Sequence, residues 1–296
     1  MNDGLLGTSG DREDDTMEDR FRYDGKRCLV VGCYSGMGAA TAKIVQSLGG
    51  EVHGIDYREP DSELASFTQC DLRDLGQIDA TLSALTGPVD RLFYCAGLPQ
   101  TFPPLDVMTV NFAAMRHVVE HVHPLIPRGG AVAIISSNAG LQFMDHMATI
   151  SALLATDSYD AAVEWCRQHP DDVADGYTLS KEAIIVYTMQ RALAVVDDGV
   201  RVNCISPGPT ATPMMPEFEK AAGAELIRAF WGPMNRQAQP EEQGWPLAFL
   251  NSDAASFITG LNLIVDAGFA AGVMTGAIDV NALFMQGMEA LEARRS

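Results

Sequence analysis

The sequence predicts a single α/β domain: a doubly wound parallel sheet of about seven strands with helices on both faces. Three observations point there. Short apolar runs alternate with helix-like stretches from residue 26 onward. The runs are apolar at successive positions, as strands covered on both faces must be. The first run passes directly into a glycine-rich turn that opens a helix. At 296 residues, 47% hydrophobic and 20% charged, the chain can build a core without a metal or disulfide staple.

Strands are expected at Cys28–Val31, Glu51–Ile55, Arg91–Cys95, Ala131–Ser136, Arg201–Ile205 and Asn262–Val265, each brief and rich in Val, Ile, Leu or Cys. Helices are expected at Gly38–Leu48, Leu75–Leu85, Asn111–His121, Ala183–Val195 and Glu241–Leu250. Residues 141–175 form an insertion with helical patches at Ile150–Ala155 and Tyr159–Gln168. No internal repeat is present. The domain is placed at 21–280, between an acidic solvated tail at 1–20 and a C-terminal tail at 281–296.

The net charge of −19 argues against nucleic acid and against an anionic membrane surface, since both repel a negative field. No apolar run reaches spanning length and no basic-then-apolar leader opens the chain. The six cysteines (Cys28, Cys33, Cys70, Cys95, Cys166, Cys204) are scattered without a C-x-x-C pair. They read as buried free thiols in a reducing cytoplasm, and no metal site is expected.

The first strand runs into Gly32-Cys33-Tyr34-Ser35-Gly36-Met37-Gly38 and then a helix. Glycines there let backbone approach a pyrophosphate, while the helix N-terminus offers free N–H groups, giving a Rossmann-type dinucleotide site. Asp56 ends the second strand, where a carboxylate accepts the ribose hydroxyls and repels a 2′-phosphate. Ser35 adds no positive charge, although Arg58 offers one, so NAD is favoured over NADP.

Tyr177 and Lys181 lie four apart in Gly176-Tyr177-Thr178-Leu179-Ser180-Lys181, hence on one helical face. An ammonium beside the phenol lowers its pKa toward working pH, as a general acid/base for an alcohol requires. Ser137, at the end of a strand, faces the ligand end of the sheet and is placed to hydrogen-bond a substrate oxygen or, more blandly, to cap a turn. Asn111 reads either as a helix cap or as the holder of a water beside Lys181. The segment 213–236 carries Met214, Met215, Phe218, Leu226, Ile227, Phe230, Trp231 and Met234. It reads as an apolar substrate lid, or equally as packing against the core or a second subunit.

In this order the residues resemble the short-chain dehydrogenase/reductase family, across nearly the whole domain. Gly32-x-x-x-Gly36-x-Gly38 resembles its nucleotide turn, with Ser35 and Met37 inside it. Asp71-Leu72 resembles the adenine-contacting pair, and Cys95-Ala96-Gly97 the end of strand four. Asn111, Ser137, Tyr177 and Lys181 match the catalytic tetrad; Pro207, Gly208, Thr210 and Thr212 fall in the loop that meets the nicotinamide carboxamide. Val265-Asp266-Ala267-Gly268 resembles the closing strand. Gly54-Ile55-Asp56, Cys95 through Thr101 and the long insertion are most similar to the 3α-hydroxysteroid dehydrogenase/carbonyl reductase-like group. Val31-Gly32 departs from the usual Thr-Gly, and Tyr94-Cys95-Ala96-Gly97 from the usual Asn-Asn-Ala-Gly. The resemblance implies an NAD(P)-dependent oxidoreductase acting on a small hydrophobic alcohol or carbonyl, assembled as a homodimer or homotetramer. Two rivals remain at this point: a nucleotide-sugar-type epimerase or dehydratase, and an NAD-binding regulatory protein.

Overall fold

The computed structural model describes residues 19–280 together with Ala282, Leu283 and Met285. The tail expected at 1–20 and the one expected at 281–296 therefore lie almost wholly outside the described residues. In chain order the elements open with β1 (Arg27–Val31), α1 (Gly36–Ser47), β2 (Glu51–Asp56), β3 (Ser66–Gln69), α2 (Leu75–Ser83) and β4 (Arg91–Tyr94). Next come α3 (Pro104–Met108), α4 (Ala114–Val122), β5 (Ala131–Ile135), α5 (Met147–Leu154), α6 (Tyr159–Gln168), α7 (Pro170–Val173) and α8 (Tyr177–Ala194). The chain continues with β6 (Arg201–Pro207), α9 (Met215–Ala222), α10 (Ala224–Ala229), α11 (Pro240–Asn251), β7 (Asn262–Val265) and α12 (Phe269–Met274).

The seven strands form one sheet in the order β3-β2-β1-β4-β5-β6-β7, parallel throughout. The order reverses between β1 and β4, and that reversal opens the crevice in which doubly wound sheets bind ligands. Alternation along each strand divides the core in two. Leu29, Val31, Leu92, Tyr94, Val132 and Ile134 pack with residues of α2, α4 and α8. Cys28, Val30, Phe93, Ala133 and Ile135 pack with α1 and α11 on the other face.

The expected strands are all present, with ends shifted by one or two residues. The seventh, β3, belongs to none of the six apolar runs. It is an edge strand, Ser66-Phe67-Thr68-Gln69, mostly exposed, so it needs no apolar pattern. The helix expected from Asn111 begins at α3 and reaches α4 through a π-helical turn at Thr109–Ala113. The helix expected to open in Gly176–Ala183 begins at Tyr177 and runs to Ala194. Among the described residues no helix is long and apolar enough to cross a membrane.

Candidate active site

The nucleotide end is built on the turn after β1. Gly32 has φ +89°, and a Cβ there would lie 2.4 Å from the Ala96 nitrogen, so Cys95-Ala96-Gly97 is pressed against the turn. A Cβ on Gly38 would stand 1.8 Å from the Gly32 carbonyl oxygen, which only glycine permits. Ser35 precedes α1 in extended conformation and its side chain caps no N–H, so the helix end is left to a ligand. Met37 lies in the first turn of α1. Asp56 ends β2 and accepts the Tyr34 N–H at 2.9 Å; burial holds its carboxyl above the ordinary range. These residues fit a dinucleotide. The Asp71 carboxylate, expected against adenine, is gripped by Arg73 at 2.6 Å, which holds it below the ordinary range. Leu72 beside it is buried.

Sequence reasoning passed over the aromatic clasp at this end. Tyr34 and Tyr57 meet edge to face at 6.2 Å, and the Arg58 guanidinium lies 5.7 Å and 4.9 Å from their ring centres. The signal was present as Tyr34 inside the turn and Tyr57-Arg58 just after Asp56.

At the other end, β5 delivers Ser136 and Ser137, and α8 delivers Tyr177 as its first residue. Asp175 fixes that start by accepting the Tyr177 N–H at 2.9 Å. Gly176 is left-handed (φ +76°) and packs on the Pro104 carbonyl, where a Cβ would approach to 2.5 Å. Ser136 Oγ donates to the Lys181 carbonyl at 2.7 Å, tying β5 to α8. Ser137 stands beside the Tyr177 phenol, and Lys181 Nζ lies 5.6 Å from the centre of the Tyr177 ring. Of the expected tetrad, Ser137, Tyr177 and Lys181 are thus brought together.

Asn111 is fully buried in the π-helical turn. Its Oδ1 accepts the Leu98 N–H at 2.7 Å, while its amide donates to the Leu98 carbonyl at 3.1 Å and to Ser180 Oγ at 3.2 Å. Ser180 in turn donates to the Tyr177 carbonyl at 2.6 Å. Asn111 is therefore no helix cap: it joins the loop after β4 to the first turn of α8. A Cβ added to Gly97 would lie 3.3 Å from Asn111 Oδ1 and 3.6 Å from Lys181 Nζ, so all three share one spot.

One expectation is corrected. Lys181 was expected to lower the Tyr177 pKa. In the protein alone burial pushes the phenol up to about 12, with the neighbouring Ser137 pulling the other way. Lys181 sits beside the ring rather than at the hydroxyl and donates to the Ile135 carbonyl at 3.1 Å; its own burial brings it down to about 8. Desolvation of the charged form is the largest cause of both shifts.

The loop after β6 closes the cleft. Pro207 ends the strand, Gly208 N–H bonds the Val265 carbonyl at 2.9 Å, and Thr210 Oγ1 bonds the Gly208 carbonyl at 2.9 Å. Thr212 lies against Gly36, 3.2 Å from where a Cβ would stand, which brings this loop to the nucleotide turn. The segment 213–236 divides by contact. Phe218 on α9 meets the Tyr177 ring edge to face at 5.2 Å. Phe230 packs instead on Phe269 at 4.9 Å. Trp231 pairs with Arg228 and lines a cavity of about 460 Å³ with Arg236, Glu219 and Ala211, and another with Gly208 and Pro209 of the loop after β6.

With this geometry established, comparison with known proteins is decisive. Residues 26–152 match the family model described as short chain dehydrogenase, and residues 156–270 the model described as enoyl-(acyl carrier protein) reductase. The chain is 32% identical over 251 residues to a coniferyl-alcohol dehydrogenase of Pseudomonas sp. strain HR199, covering 84% of this chain and 98% of that one. The chain belongs to the short-chain dehydrogenase/reductase family. It is also 33% identical over 247 residues to the 3-alpha-hydroxysteroid dehydrogenase/carbonyl reductase of Comamonas testosteroni, covering 81% and 95% of the two chains. A crystal structure of the 3-alpha-hydroxysteroid dehydrogenase from Pseudomonas sp. B-0831, complexed with NADH, superposes with TM-score 0.73 at 26% identity, covering 86% of this chain and all of that one. As a short-chain dehydrogenase/reductase this protein is an oxidoreductase of alcohols and carbonyls.

Proposed function

We propose that the protein is an NAD-dependent dehydrogenase that interconverts a hydrophobic secondary or aromatic alcohol and its carbonyl, with Tyr177 as the general acid/base. The observation that carries this is the convergence on the Tyr177 phenol of Ser137 from the end of β5, the Phe218 ring edge-on at 5.2 Å and Lys181 alongside the Tyr177 ring. Three relatives act on coniferyl alcohol, a 3α-hydroxysteroid and cyclohexanol by name, which supports a ring-bearing, largely apolar alcohol.

In this reading the substrate oxygen lies between the Ser137 and Tyr177 hydroxyls. The bound nicotinamide, when oxidised, supplies the hydride acceptor and a positive charge near the phenol. Tyr177 Oη takes the alcohol proton and Ser137 shares the charge developing on oxygen. Lys181 stands beside the phenol ring and, when protonated, favours the phenolate. Asn111 and Ser180 hold the first turn of α8, so that Tyr177 and Lys181 keep their spacing. Asp56, buried at the end of β2, favours NAD through the adenosine ribose, and Arg58 is occupied by the Tyr34 and Tyr57 faces. A homodimer or homotetramer completes the proposal, read directly by analytical ultracentrifugation.

The test follows reduced-cofactor absorbance over coniferyl alcohol, cyclohexanol and a 3α-hydroxysteroid, with NAD and NADP in parallel, for the wild type and Tyr177→Phe. We expect turnover with at least one alcohol, a preference for NAD, and a loss of about 10²–10⁴ in kcat in the variant. Retention of more than about a tenth of wild-type turnover by a variant that still binds cofactor rules out the assigned acid/base.

A further inference from the structure

We propose that Asp79, His117 and His121 form a binding site for one borderline divalent transition-metal ion of the zinc type, bridging α2 and α4 away from the cleft. One donor atom from each residue lies within 4.8 Å of the other two. His117 and His121 are four apart on α4 and so share a face. Their rings stand 3.9 Å apart, and His117 Nε2 is 2.7 Å from Asp79 Oδ1 on α2.

The tautomer of His121 is fixed by its neighbour. Its Nδ1 lies 2.8 Å from the His117 carbonyl, and a carbonyl only accepts. Nδ1 therefore carries the proton and Nε2 presents its lone pair. A ring N–H tied to a carbonyl is the usual outer support of a metal-ligating histidine. The His117 ring is held from its other side by Tyr159, edge-on at 5.9 Å, and the Tyr159 hydroxyl is anchored on the Arg73 carbonyl at 3.0 Å. His117 is thus preset, with 13% of its side chain exposed, while Asp79 at 53% leaves a way in for an ion.

The donor chemistry selects the class of ion. Two imidazoles and one carboxylate suit zinc, copper, nickel or cobalt, whereas magnesium and calcium take all-oxygen sets. Three protein donors leave a fourth position to water. The ion would take the place of the hydrogen bond between His117 and Asp79. The net charge of −19 favours any cation at the surface, and the ligand geometry distinguishes this place from a diffuse attraction.

The experiment uses the untagged full chain, stripped with chelator and titrated with zinc chloride in a calorimeter at slightly alkaline pH. We expect one equivalent bound by the wild type and a rise in Tm of a few degrees at saturating zinc. His121→Gln and Asp79→Asn, both at exposed positions, should lose the binding and the rise while folding normally by circular dichroism. His169→Gln, a histidine stacked on Trp165 elsewhere, should bind like the wild type. Dehydrogenase activity of His121→Gln measured without metal should equal that of the wild type, which separates this site from the catalytic assignment. A wild type that binds no zinc, or a His121→Gln that binds as tightly as the wild type, overturns the proposal.

Discussion

At the scale of single residues, the site rests on a few atoms that tolerate no substitute. Gly38 leaves no room for a methyl against the Gly32 carbonyl. Gly38→Ala should weaken NAD binding by about tenfold or more, read by cofactor fluorescence, since overpacking of this kind costs on the order of 1–3 kcal/mol. If Asp56 faces the adenosine ribose as proposed, Asp56→Ser should lower the NAD/NADP ratio of kcat/KM by about tenfold or more. The acid/base pair sets the direction of the pH profile. With Tyr177 pushed up to about 12 by burial, the phenol is protonated at neutral pH and is ready to donate to a carbonyl. Alcohol oxidation needs the opposite form, so its kcat/KM should rise with pH while that of carbonyl reduction does not; initial rates in both directions across neutral to alkaline buffers decide this. The spacing of Tyr177 and Lys181 and the strand-end position of Ser137 were legible in the sequence because they are local. The bonds that orient them were not. Lys181 reaches a carbonyl 46 residues away, and Asn111 reaches Leu98 across 13 residues, separations on which local periodicity is silent.

At the scale of elements, the lid shows how apolar content alone misassigns roles. Eight apolar side chains in 213–236 read alike in the sequence, yet the structure turns Phe218 toward Tyr177 and Phe230 toward Phe269. Phe218→Ala should therefore raise KM for a bulky apolar alcohol by about tenfold, in line with about 1.5–3 kcal/mol for burying such a ring. Phe230→Ala, which removes a ring packed on Phe269, should leave that KM close to wild type. Steady-state kinetics on the two variants separate a ring packed on Tyr177 from one packed on Phe269. The inner strands were readable because burial on both faces demands unbroken apolar runs. The edge strand β3 escaped because nothing packs on most of it, whereas the start of α8 at Tyr177 is legible from the helical spacing of Tyr177 and Lys181.

At the scale of the whole molecule, 39 acidic against 20 basic residues give a self-repelling surface around a core that is otherwise complete. Screening should relieve that repulsion. Tm is expected to rise between low salt and about 0.5 M sodium chloride, where the Debye length falls well below 10 Å, and a differential scanning experiment reads it. A flat or falling trend would mean that the acidic groups are compensated locally by ion pairs such as Asp71–Arg73 and Glu242–Arg236. The doubly wound parallel sheet followed from strand–helix alternation, whereas its strand order, and with it the β1–β4 reversal, is set by pairings remote in sequence.

The wide turn at Thr109–Ala113 carries a consequence for engineering. Such a turn holds one residue more than its flanks require, and each residue of ordinary helix advances the side chains by about 100°. Deleting Ala113 would let α3 and α4 fuse in a single phase. The buried Val118, Val119 and Val122 keep α4 where it is, so the rotation would fall on the segment before it and swing the Asn111 amide off Leu98 and Ser180. The shortened protein would have the more regular spiral and the less useful one: helicity preserved in the far ultraviolet, turnover lost.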